Sequence, residues 1–130
     1  MKKIVLVPLD ERPCTYMYPN MLANIANDIN LVEVPKKFMG DLKVPGNIDK
    51  IADFLIKECK DASYAVVAID TLLYGGIVPS RLHYENEKTL LDRLNILRKI
   101  KEVNPSIKLY AYHLIMRCPS SSGDSEEPSY

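Results

Sequence analysis

Apolar residues fall in four short runs, separated by three stretches in which they recur at helical spacing. The runs are KIVLVPL (3–9), INLVEV (29–34), SYAVVAID (63–70) and IKLYAYHLIM (107–116). All four are rich in β-branched and aromatic side chains, which predicts strands. Between the first two, Leu22, Ile25, Ala26 and Ile29 occupy i, i+3, i+4 and i+7, with Pro19 suited to a first helical turn. Between the second and third, Asn47 is placed to cap a helix whose Ile48, Ile51, Ala52, Leu55, Ile56 and Cys59 form one apolar stripe. A third helix is predicted over 87–103, carrying Leu90, Leu91, Leu94 and Leu97 and stopping before Pro105.

Strands alternating with helices imply βαβ units, a mainly parallel sheet and right-handed crossovers. With no internal repeat and no linker, residues 1–130 read as a single α/β domain. The last stretch, CPSSSGDSEEPSY, is polar and serine-rich and follows a strand with no helix after it, so the chain is expected to be the N-terminal portion of a longer one. Strands one, three and four are followed by decorated loops, and strand two by PKKFMGDLKVPGN. That favours four βα-type units resembling the first half of a TIM-like (β/α)8 barrel, which uses most of its strand ends. An open Rossmann-like or flavodoxin-like sheet, which concentrates its ligand contacts at one switch point, is the alternative. Strand order separates them: 1-2-3-4 for the barrel, 3-2-1-4 or 2-1-3-4 for the open sheet. A half-barrel would leave two sheet edges unpaired, so this part alone is expected to be inactive and to associate, with itself or with the missing C-terminal part.

Bulk composition narrows the partners. The 130 residues are 47% hydrophobic and 26% charged, with a formal net charge of zero, enough for an ordinary core. A chain without a net basic face is a poor nucleic-acid binder. The longest apolar stretch, near Ala65–Ile69, is too short to span a bilayer. Met1 to Val7 resembles the start of a signal peptide, but Pro8, Asp10, Glu11 and Arg12 interrupt it. Cys14, Cys59 and Cys118 are odd in number and form no CxxC pair, which fits a reducing cytoplasm.

Loops leaving the C-terminal strand ends form the ligand face of a parallel α/β sheet, and three of them here are unusual. The first carries Asp10, Glu11, Arg12, Tyr16 and Tyr18. The second, DTLLYGGIVPSRLHY, carries Asp70, Tyr74, Gly75, Gly76, Ser80, Arg81 and His83. The third, RCPSSSGDSEEPSY, carries Arg117, Ser120 to Ser122, Asp124, Glu126, Glu127 and Tyr130. The chain has twelve lysines and five arginines, yet these loops hold Arg12, Arg81 and Arg117 and no lysine. Arginine's rigid fork suits bidentate contacts to carboxylate or phosphate, so the segregation points to a site. The plainer reading is that Asp–Arg pairs only tie adjacent loops together. His113 lies within an apolar run and reads as a hydrogen-bonded core histidine, and the tyrosines of YAY (110–112) as sheet packing.

No Walker-type phosphate loop, dinucleotide fingerprint or G-x-S-x-G elbow is present. Metal-ligand spacing is also lacking, so neither metal nor other cofactor is expected. The segments VPLDERP, DTLLYGGIVPSR and LIMRCPSSSGDSEEPSY resemble the N-terminal part of a bacterial family known as domain of unknown function 4127, over essentially the whole chain. Members are much longer proteins. The resemblance marks Asp10, Glu11, Arg12, Asp70, Tyr74, Arg81, Arg117, Glu126 and Glu127 as motif positions and implies no particular activity.

Two functions fit these residues. One is a hydrolase for a glycoside or other hydroxyl-rich small substrate, because two carboxyl groups flanking the bond are the usual machinery of glycosidases. Asp10 or Glu11 on one loop and Asp70, Glu126 or Glu127 on others would supply them. Tyr16, Tyr74 and Tyr130 would offer flat amphipathic surfaces to sugar rings, beside Arg12, Arg81, Arg117 and Ser120. The other is a binding module for an anionic small molecule, gripped by Arg12, Arg81 and Arg117. Pairing of the acids with those arginines would tell against the second.

Overall fold

The computed structural model describes residues 1–116. In chain order the elements are β1 (Lys2–Val7), α1 (Pro13–Ala23), β2 (Ile29–Glu33), α2 (Ile48–Glu58), β3 (Tyr64–Ala68), α3 (Ile69–Tyr74), α4 (Ile77–Arg81), α5 (Glu87–Leu94), α6 (Ile96–Val103) and β4 (Lys108–Tyr112). The four strands form one all-parallel sheet in the order β2-β1-β3-β4. The α/β parallel architecture expected from the pattern is present. The half-barrel arrangement is not: β3 lies on the opposite side of β1 from β2, so the winding direction reverses at β1 and the sheet is open. A barrel needs each strand to pair beside its predecessor. Decorated loop ends do not reveal strand neighbours, which is why the pattern pointed the other way.

Alternation along β1 and β3 makes the core. Val5, Val7, Ala65 and Val67 are completely buried, in one cluster with Ile51 and Leu55 of α2 and Ile96 and Ile100 of α6. Each of these valine, leucine and isoleucine side chains contributes about 1.5–3 kcal/mol by leaving water. The α2 stripe forms as the spacing predicts, and the Asn47 side-chain oxygen accepts the Lys50 N–H at 3.1 Å as the cap.

Two other helices differ from expectation. The first begins at Pro13, which takes the early position that proline's fixed φ suits, so Pro19 lies inside it. Leu22 and Ile25 are exposed and Ile29 starts β2; that apolar spacing is therefore not a buried stripe. The third predicted helix is two, meeting at Asn95. Ile96 and Ile100 are the side chains it buries, while Leu91 and Leu94 face solvent. The chain turns to β4 through buried Asn104, whose Nδ2 donates to the Cys59 and Ala62 carbonyls at 2.8 and 2.9 Å. Strands three and four are shorter than their apolar runs: Ile69 and Asp70 already belong to α3, and β4 ends at Tyr112.

Candidate functional site

In an open sheet the loops diverge where the strand order reverses, leaving a crevice outside the carboxyl ends of the strands. Here that point lies between β1 and β3. From β1 the chain runs through Pro8 to Arg12 into α1; from β3 it passes without a loop into α3, then α4. Thr71 ties the two sides. It is completely buried, and its hydroxyl lies 2.8 Å from the Pro8 carbonyl and 2.7 Å from that of Leu9.

Asp10 organises the β1 side. It is 2% exposed; its Oδ2 accepts the Arg12 Nε–H at 2.7 Å, and its Oδ1 accepts the Arg12 backbone N–H at 3.1 Å and the Thr15 hydroxyl. The hydrogen bond and charge of Asp10 hold the Arg12 guanidinium above its ordinary pKa. Glu11 points the other way. Its Oε1 accepts the Leu42 N–H at 3.0 Å, pinning a tight turn, Asp41 to Val44, in which Leu42 has a φ of 49°.

On the β3 side, α3 ends at Gly75 with φ 87°, a left-handed conformation that favours glycine. A side chain there would also collide with the loop before α2, since a Cβ would sit 2.6 Å from the Gly46 nitrogen. The close approach lets the Gly46 N–H reach the Gly75 carbonyl at 2.9 Å. Gly75 and Gly76 thus form the turn their pairing suggested and carry backbone to the crevice wall.

Two cavities open on this edge. One, of about 200 Å³, is bordered by Asp10, Glu11 and Arg12 from one side and Gly75, Gly76 and Arg81 from the other. The second, of about 330 Å³, takes in Asp70, Tyr74, Ser80, His83 and His113. Ile77 and Arg81 border both, so the cavities meet at α4. Asp70 is 2% exposed, and its Oδ2 lies 3.2 Å from His113 Nδ1 and accepts the Leu114 N–H at 3.2 Å. Burial, and then the charge of Asp70, push the Tyr74 phenol above its ordinary pKa. For Tyr112 burial acts with the charges of both Asp70 and Asp10; its phenol therefore feels both acids across the switch point.

The fold thus brings Asp10, Glu11, Arg12, Asp70, Tyr74 and Arg81 to one edge. Tyr16 is turned away: its hydroxyl donates to the Val34 carbonyl at 2.8 Å, fastening α1 to the end of β2. Arg117, Ser120, Glu126 and Glu127 lie outside the described residues. His113 is the correction. Its side chain is 51% exposed and paired with Asp70 rather than sunk in the core. Its apolar neighbours concealed that the strand stops one residue before it. Sequence reasoning also overlooked Thr71 and Leu42; a buried hydroxyl after a strand and a lone left-handed leucine carry no pattern signal. Among the described residues no three His, Cys, Asp or Glu side chains converge as a metal set, and no helix is long and apolar enough to cross a membrane.

A family model described as "Protein of unknown function (DUF4127)" matches residues 4–130. The chain belongs to the DUF4127 family. The match takes in β1 from Ile4 onward, all of β3 and every motif position on the crevice edge. No curated protein and no solved structure matches this member of the family.

Proposed function

We propose that this DUF4127 chain carries the site of a hydrolase acting on a glycoside or other hydroxyl-rich small substrate, held in the crevice at the switch point. The observation that supports this reading is the placement of Glu11 and Asp70. One comes from each side of the crevice, and they border two cavities that meet at Arg81. A carboxyl group on either side of the bond is what acid–base cleavage of a glycoside needs. Asp10, with its oxygens engaged by Arg12 and Thr15, is the scaffold of the β1 side. Tyr74, tilted against the His83 ring with ring centroids 4.5 Å apart, offers an aromatic wall. A cytoplasmic setting goes with this reading, supported by the free thiols of Cys14 and Cys59.

The test is turnover of a panel of aryl glycosides by the purified full-length protein, with Glu11→Gln and Asp70→Asn as controls. Turnover that falls by about 10²-fold or more in each variant supports the reading. No turnover on any sugar, or full turnover in both variants, refutes it. A second reading, capture of an anionic small molecule, is favoured by Arg81 at the same 200 Å³ cavity, while the pairing of Arg12 with Asp10 tells against it. Calorimetry with inorganic phosphate and simple dicarboxylates tests it, and absence of heat with all of them retires it.

A further inference from the structure

We infer that His113 is the proton-accepting group of this crevice and that Asp70 acts through it, as a positioning residue. The inference rests on the hydrolase reading and specifies how the β3 side of the site works. Asp70, in the first turn of α3, borders the cavity but presents almost no surface to it. Its Oδ2 accepts the Leu114 N–H and pairs with His113 Nδ1, each at 3.2 Å. The backbone bond holds the chain just past β4 against the carboxylate, so the neighbouring imidazole is carried to a defined place. Nδ1 is the ring nitrogen that faces the carboxylate, which favours the proton of neutral His113 on Nδ1 and leaves the lone pair on Nε2. Half of the side chain is open, on a cavity it shares with Tyr74, Ser80, Arg81 and His83.

A buried acid behind a half-exposed imidazole is the base half of hydrolytic sites. In the step, Nε2 takes one proton from a water in the cavity as the water oxygen bonds to the electrophilic carbon. The carbon–oxygen bond to the leaving group breaks as the departing oxygen takes a proton from the Glu11 carboxyl across the crevice, and the proton on Nε2 returns to Glu11 through solvent. One water is consumed and neutral imidazole is restored. The substrate class is thereby a compound with a hydrolysable C–O bond, a glycoside or an ester of a hydroxyl-rich molecule.

The pair is tested first without any substrate. Long-range proton–nitrogen correlation spectra of the ¹⁵N-labelled protein report the tautomer of each imidazole. Neutral His113 is expected with hydrogen on Nδ1 and none on Nε2, and Asp70→Asn is expected to abolish that preference. Diethyl pyrocarbonate, which acylates unprotonated imidazole nitrogen, is expected to modify His113 several-fold faster in the native protein than in Asp70→Asn. An Nε2–H tautomer in the native protein overturns the inference even if Asp70→Asn fails to fold; so does an unchanged acylation rate in a folded Asp70→Asn. With an aryl glycoside that is turned over, His113→Gln is expected to lower kcat by about 10²-fold or more, and an unchanged kcat overturns the inference. The two readings fail separately. A wrong tautomer leaves glycoside turnover standing, whereas the expected tautomer with no turnover of any sugar retires the glycosidase and keeps the pair.

Discussion

Replacing Thr71 by valine tests whether the two walls of the crevice are tied as the structure indicates. Valine keeps the β-branched shape, so packing is conserved and only the hydroxyl is exchanged for a methyl. The hydroxyl is completely buried and bridges the Pro8 and Leu9 carbonyls at 2.8 and 2.7 Å. Since one proton serves both acceptors, the loss is that of one shared hydrogen bond. Leaving a buried acceptor unsatisfied costs about 1–3 kcal/mol, and the added methyl returns about 0.8 kcal/mol. The net destabilisation is roughly 0.2–2 kcal/mol, about 1 kcal/mol at the centre of that range, which lowers the midpoint of a chain this size by on the order of 4 °C. Calorimetry of the native and Thr71→Val proteins reads the shift. Hydrogen exchange reads the local effect: the Arg12 amide, held by Asp10 Oδ1, should exchange faster as the β1 side loosens. A midpoint within about 1 °C of native, together with unchanged Arg12 protection, would refute the reasoning.

Gly75→Ala places a Cβ 2.6 Å from the Gly46 nitrogen at a φ of 87°; the left-handed conformation alone costs about 1–2 kcal/mol, so urea unfolding should show a loss of at least about 2 kcal/mol. Burial raises the pKa of Glu33 above its ordinary 4.5. The folded state therefore favours the protonated acid, a contribution that is fully present below the ordinary value and lost as pH rises through the folded one. Glu33→Gln should accordingly be more stable than the native protein at pH 7 and close to it at pH 4, and equal stability differences at both would contradict this. Cys59 is completely buried and its thiol is pushed up to about 11, whereas Cys14 is exposed. Peptide mapping after a thiol reagent at pH 8 should find Cys14 labelled and Cys59 untouched until denaturant is added.

What the sequence determined by itself was whatever one segment decides alone. The stripe of Ile51, Leu55 and Cys59 is buried as its spacing predicts, with Asn47 as cap, because helical periodicity reports which face leaves water. Alternating strands and helices sufficed for a parallel sheet, and the Asp10–Arg12 pair, two residues apart, was visible as a local cluster. The α1 pattern misled because Leu22 and Ile25 have the right spacing but no layer to pack on. Tertiary structure decided the rest. Whether β3 joins the sheet beside β2 or beyond β1 depends on how a crossover packs, which no single segment encodes, and that choice created the switch point. Asp70 and His113 are neighbours only because β3 pairs with β4 and sets Ala68 opposite Tyr112. Read alone, His113 was one more residue in an apolar run. The end of β4 and a buried carboxylate from another element turned it into a group of the site.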